Sequence, residues 1–274
     1  MKQKPWLGYT LYGIAVTLFF LYVLFPAAIL ERFFESTADR WLGLTLTVDS
    51  ARLIVPPGIA MAKSEVALAG RPDLVMVARD VVLKPKLTDL VRGKLAVNFR
   101  FRSCGGGLSG TAAFSRRFAC EGPMDVQMLV SDVDLSQTVW LEHFFGRQVR
   151  GVFRGSADLE GFSVAPPEGT GEVDLYLEQG SFPLPESFMG FDRIDFNQIH
   201  VRADIESSVL NVRTINFNGD GITGMLNGSV HFHRHLPSSR IAFRGSLTHP
   251  SIGGSVSLNL GGTLAQPRVR VGRS

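Results

Sequence analysis

A chain of 274 residues with a mean hydropathy of +0.14 and 19% charged residues is more apolar than an ordinary soluble domain, and it leaves room for one membrane anchor and one or two globular domains. The net charge of +3 is spread over 28 basic and 25 acidic residues. The arginines stand singly along the chain, so the concentrated basic run that marks a nucleic-acid groove is missing and no nucleic-acid partner is expected.

Residues 6–30 carry no charged side chain. That run exceeds the roughly 20 residues needed to cross about 30 Å of hydrocarbon. Trp6, Tyr9 and Tyr12 sit at one end of it, where amphipathic rings suit the headgroup layer. The run is too long for the apolar core of a cleaved secretory signal, and Phe25-Pro26-Ala27-Ala28 is the nearest approach to a cleavage site. An uncleaved transmembrane anchor is therefore expected at 6–30. Lys2 and Lys4 precede it, and Glu31, Arg32 and Glu35 follow. Basic flanks stay on the cytoplasmic side. This places residues 1–5 in the cytoplasm and the chain beyond the span outside it, in the periplasm if the cell is Gram-negative. Ile29, Phe33, Phe34, Trp41 and Leu42 then recur near helical spacing, with Gly43 as a stop, so residues 31–43 read as an amphipathic helical neck.

From residue 44 the period changes to two, and residues 44–274 read as one β-rich domain. Leu44, Leu46 and Val48 alternate with polar residues, as do Val97, Phe99 and Phe101. Met124, Val126, Met128 and Val130 form a further set, followed by Val173, Leu175 and Leu177. Ile199, Val201, Ala203 and Ile205 come next, then Leu210 and Val212. Ile241, Phe243 and Leu247, then Val256, Leu258 and Leu260, and finally Val269 and Val271 complete the series. Such alternation argues half-buried strands with one apolar face. Turns are signalled at Val55-Pro56-Pro57-Gly58, at Ala165-Pro166-Pro167-Glu168-Gly169 and at Asn218-Gly219-Asp220-Gly221. Two short helices interrupt the pattern. One is a turn at 87–91. The other opens at Asp134 or Ser136, shows Leu135, Val139, Trp140, Phe144 and Phe145 on one face, and stops at Gly146. Each leads into a new strand, at Gly93 and at Gly151, and Gly224 echoes that start without a helix, which reads as a loose β-repeat.

Several clusters invite a chemical reading. His231, His233 and His235 would share one face of a strand, but Cα atoms at i and i+4 are about 13 Å apart, too far to meet one tetrahedral zinc ion without a bend. Asn216, Asn218, Asp220 and Gly221 resemble the opening of a calcium loop, yet Asn227 stands where a bidentate glutamate is required. There is no Gly-x-Ser-x-Gly elbow. The serines of Gly155-Ser156 and Gly245-Ser246 fall at matching places in strand starts, and His143 has apolar neighbours. Gly105-Gly106-Gly107 lacks the Lys-Ser/Thr of a phosphate loop, and Asp132 and Asp134 read as solvated turn residues. No enzyme, no metal site and no cofactor is expected. Cys104 and Cys120 lie on what read as two arms of a glycine-tipped hairpin. In an oxidising compartment they either form a bridge worth about 3 kcal/mol or remain two small hydrophobes.

The ending Leu258-Asn259-Leu260-Gly261-Gly262-Thr263-Leu264-Ala265-Gln266-Pro267-Arg268-Val269 resembles the closing signature of AsmA-like proteins. The exit from the apolar run, Leu24-Phe25-Pro26, and the step Val55-Pro56-Pro57-Gly58-Ile59 are similar to those of one subset, the type II secretion system protein N family. The resemblance implies an extended, curved antiparallel sheet or groove domain of AsmA-like type. It also implies an accessory, non-catalytic role at the inner membrane beside other type II secretion subunits. An open apolar face would further suit phospholipid. The side chains expected on that face are Val97, Phe99, Phe101, Val126 and Met128 in the earlier part, and Val201, Ile205 and Phe243 in the later part.

Overall fold

The computed structural model describes residues 44–54, 58–68, 71–115, 122–138, 141–142, 148–164, 167–188, 191–219, 221–234, 238–249 and 254–273. Residues 1–43, where the anchor and the neck are expected, lie outside the described residues. Among those described, no helix is long and apolar enough to cross a membrane.

Fourteen strands follow one another: β1 (Leu44–Ile54), β2 (Gly58–Leu68), β3 (Arg71–Pro85), β4 (Leu95–Ser103), β5 (Gly106–Phe114), β6 (Met124–Asp134), β7 (Arg150–Val164), β8 (Pro167–Phe188), β9 (Phe191–Ser207), β10 (Val209–Gly219), β11 (Thr223–His231), β12 (Arg240–His249), β13 (Gly254–Thr263) and β14 (Pro267–Arg273). Their order in space is their order in sequence, in one 14-stranded antiparallel sheet with β1 and β14 at its two edges. A mainly β protein is what the alternating pattern predicts, and one long, curved antiparallel sheet is what the resemblance implies. The helix α1 (Leu87–Val91) forms between β3 and β4 as expected. The second expected helix is seen in its first turn, a 3-10 turn at Leu135–Gln137 opened by Asp134, whose carboxylate accepts from the Ser136 amide at 2.9 Å. The remainder of that segment, with His143, lies largely outside the described residues.

The period-two pattern is expressed directly as burial. Along β4, Asn98, Arg100 and Arg102 are exposed, while Val97, Phe99 and Phe101 turn to the other side and are half-buried. Along β12, Arg240, Ala242, Arg244 and Ser246 are exposed, and Ile241, Phe243 and Leu247 are not.

Curvature comes from irregularities placed in the longer strands. Asp80 (φ 52) and Asp132 (φ 54) take left-handed backbone angles where the pairing slips, between Arg79 and Val82 in β3 and between Val130 and Val133 in β6. An extra residue on one strand sharpens the local right-handed twist and bends the sheet. The β4–β5 connection is a two-residue turn, Cys104-Gly105, with both φ angles positive (51 and 76), the hairpin geometry whose twist matches that of its strands.

Candidate functional site

The strand register assembles the apolar face into three rows that run across the strands. One row takes a residue from every strand: Leu53, Ile59, Leu83, Phe99, Gly110, Met128, Ala157, Val173, Ala203, Val212, Gly228, Phe243, Leu260 and Val269, each the Cα partner of the next. No polar residue breaks it. A second row runs from Phe101 through Leu108, Val130, Gly155, Leu175, Val201, Ile215, Leu226, Gly245 and Leu258 to Val271. A third runs from Val97 through Ala112, Val126, Leu159, Gly171, Ile205, Leu210 and Val230 to Ile241. All eight side chains expected on this face lie in these rows: Phe99, Met128 and Phe243 in the first, Phe101 and Val201 in the second, Val97, Val126 and Ile205 in the third.

Fourteen strands spaced about 4.8 Å apart make the first row about 60 Å long, and three rows two residues apart make the band roughly 14 Å wide. Among the described residues no second sheet lies against it. The side chains bury one another instead, most densely in two places. Val48, Ala51, Met61, Ala78 and Val81 form one cluster across β1–β3, with Phe101 packed against it. Ala157, Leu159 and Ile205 form the other, flanked by Val126, Met128, Val173 and Leu210.

Glycines in these rows act as seats for large neighbours. A Cβ on Gly110 would lie 2.7 Å from Phe99 Cζ, and one on Gly228 would lie 2.8 Å from Phe243 Cδ1, so each ring rests over a bare backbone on the next strand. Sequence reading missed this pairing. Its signal was there: a glycine at the strand position opposite Phe99 and another opposite Phe243, visible only once register is known.

The other face is polar, and its middle is laced with ion pairs. Arg154 on β7 reaches Asp132 at 2.6 Å and Glu178 at 2.9 Å. Arg213 on β10 reaches Asp204 at 2.5 Å and Glu172 at 3.7 Å. Their acidic partners raise both guanidinium pKa values further, mainly through the hydrogen bonds to Asp132 and Asp204. His200 Nε2 lies 2.6 Å from Asp174 Oδ1, with its ring stacked 4.2 Å from that of Tyr176. A concavity of about 770 Å³ opens beside these groups, edged by Ser109, Gln127, Asp158, Glu172, Arg202 and Arg213. Among the described residues, no serine or cysteine is hydrogen-bonded to His200.

The remaining candidates are not brought together. His231 ends β11 with Nε2 3.4 Å from Ser229 Oγ, the chain leaves the strand at once, and the His233 amide donates to Ser239 Oγ at 3.0 Å. His235 lies outside the described residues. Among those described, no group of three His, Cys, Asp or Glu side chains is placed to hold a metal ion. Asn216 and Asn218 belong to β10, and the Gly219 amide closes the following turn by donating to the Ile222 carbonyl at 2.8 Å, with Asp220 outside the described residues. Cys104 is a free thiol 3.5 Å from the Gln137 carbonyl oxygen. Cys120 lies outside the described residues, and its described flanks, Ser115 and Gly122, sit at the opposite end of β5 from Cys104.

The fold and the face together define a class: a single-layer β protein with one apolar and one polar face. No family model, curated protein or solved structure matches this chain.

Proposed function

We propose that this chain is a non-catalytic component of the type II secretion system, of the protein N kind, anchored in the inner membrane by residues 6–30 with its sheet in the periplasm. There it serves as an interaction subunit, offering the sheet to neighbouring secretion subunits. The observation that carries this reading is the 14-stranded meander, in which the edge strand β14 has no further strand beside it among the described residues and suits strand addition by a partner. The closing motif supports it as well: Leu258–Thr263 and Pro267–Val269 are the two arms of the final hairpin, turned through Leu264-Ala265-Gln266.

A second reading, an AsmA-like lipid-binding protein of the envelope, is favoured by one observation. Three apolar rows cross the sheet with no covering layer among the described residues, and an acyl chain laid along them would remove that surface from water at roughly 25 cal/mol per Å². One experiment separates the two. A photo-crosslinking residue is placed at Phe243 in the full chain in cells, with Arg100, exposed on the opposite face of β4, as the control position. Adducts to secretion subunits support the first reading, and phospholipid adducts confined to Phe243 support the second. Absence of both, with secretion intact in a deletion strain, would sink both.

A further inference from the structure

The charge of this chain is segregated along the sheet. Residues 122–219 hold fifteen acidic and six basic residues, whereas residues 221–274 hold six arginines and not one aspartate or glutamate. Register then gathers arginines that are far apart in sequence. Arg244 on β12 and Arg270 on β14 are both Cα partners of Asn259 on β13, and Arg244 also faces Asn227 on β11. Arg240 pairs with Thr263, and Arg268 with Gly261, so all four arginines project from the polar face of β12 and β14 with only small or amide side chains between them. All four are exposed. Among the described residues none of them joins an ion pair, in contrast to Arg154 and Arg213. They cover an area of about 10 by 13 Å, set by two strand spacings and four residues of strand.

We propose that the polar face of β11–β14 docks on the headgroups of a bilayer that contains anionic phospholipid. Guanidinium groups match phosphate oxygens with paired, directed hydrogen bonds. Four of them spread over an area of that size fit a surface of repeated phosphates better than one small ion. Two large apolar side chains accompany them. Met225, the Cα partner of Ser246 and two residues from Asn227, is 57% exposed on the same face, and Leu264, in the turn between β13 and β14, is 45% exposed. Exposed apolar groups beside arginines gain by entering the headgroup–acyl boundary and have nothing to gain on a nucleic acid or a free ion. This proposal does not depend on the secretion or acyl-groove readings, since it uses the opposite face of the sheet.

The test uses the full chain held in nanodiscs of pure phosphatidylcholine. It is mixed with separate vesicles of phosphatidylcholine alone or with 30 mol% phosphatidylglycerol (about the anionic content of a bacterial membrane), and the vesicles are floated through a density gradient. The expected result is about tenfold more protein floating with the anionic vesicles, with most of that excess lost when salt shortens the screening length. The variant R240Q/R244Q/R268Q/R270Q should lose the excess, the corresponding four-lysine variant should keep most of it, and M225S/L264S should lose about half. Circular dichroism checks the fold, and R244Q/R270Q stands in should the fourfold variant not fold. Equal flotation of wild type and glutamine variant overturns the proposal, as does wild type that ignores anionic vesicles. Self-association abolished by the same substitutions without vesicle binding would assign the face to a second copy. Capture of a DNA duplex in place of vesicles would assign it to nucleic acid.

Discussion

Strands β6–β10 and strands β11–β14 share one backbone plan and one apolar face, yet their polar faces are built on opposite principles. In the middle, Arg154 stands between carboxylates on both neighbouring strands, Asp132 and Glu178, and Arg213 reaches Asp204 and Glu172 on the two strands to one side of it. At the C-terminal end arginines stand between asparagine and glycine, with no carboxylate in the whole segment. The first arrangement satisfies Arg154 and Arg213 within the chain. The second leaves its arginines for something outside the chain. What separates a structural polar face from a binding one here is therefore the company the arginines keep across the strands.

The comparison can be broken most severely on the shared apolar face. Ile205→Asp buries a carboxylate in the cluster with Ala157 and Leu159 and should cost about 4 kcal/mol or more, read as loss of the cooperative thermal transition. Arg244→Asp, on the exposed face, should leave that transition almost unmoved. Next in size is Gly228→Val. Its Cβ would meet the Ala242 carbonyl oxygen at 2.1 Å and the Phe243 ring, so a loss of about 2–3 kcal/mol is expected in chemical denaturation. A smaller, opposed pair sharpens the contrast itself. Arg213→Gln should lower the melting temperature in dilute buffer and do so less in high salt, because it removes exposed attractions. Arg244→Gln should leave it unchanged or raise it slightly, because it relieves repulsion. Hydrogen exchange should agree, with added salt increasing protection in β12–β14 and not in β7–β10.

The smallest effect concerns the turn at Leu135–Gln137. The Ser136 hydroxyl, above all, holds the Asp134 carboxyl below the ordinary carboxylate range, with help from Gln137 and the Ser136 amide. A lowered folded-state value means that this stabilisation is complete above the unfolded pKa of about 4 and is lost as pH falls through the folded one. Asp134→Ala should cost about 1 kcal/mol or less near neutrality and nothing at strongly acidic pH, measured by denaturation at both.

Much of the fold was legible because its rule is local. The alternation of Val97, Phe99 and Phe101 with Asn98 and Arg100 needs no distant partner to be read, and it placed all eight expected side chains on one face. What stayed hidden was everything that depends on register. Arg244 and Arg270 are 26 positions apart and look solitary, but two strand pairings bring them to either side of Asn259. The bed of Gly228 under Phe243 and the pairing of His200 with Asp174 are invisible for the same reason. Asn216 and Asn218 show the opposite case, since side chains spaced as in a metal loop are polar positions of β10.

The strictly sequential order of the sheet also makes it a modular ruler. Each strand touches the one before and the one after, so neighbour terms dominate stability and an added or removed hairpin changes length without disturbing the rest. Contacts of this kind close short loops, which lets the sheet grow by accretion from any formed hairpin. A protein built this way can be lengthened by duplicating one hairpin at a time, each adding about 10 Å of the same apolar track, while the chemistry of its two ends evolves separately.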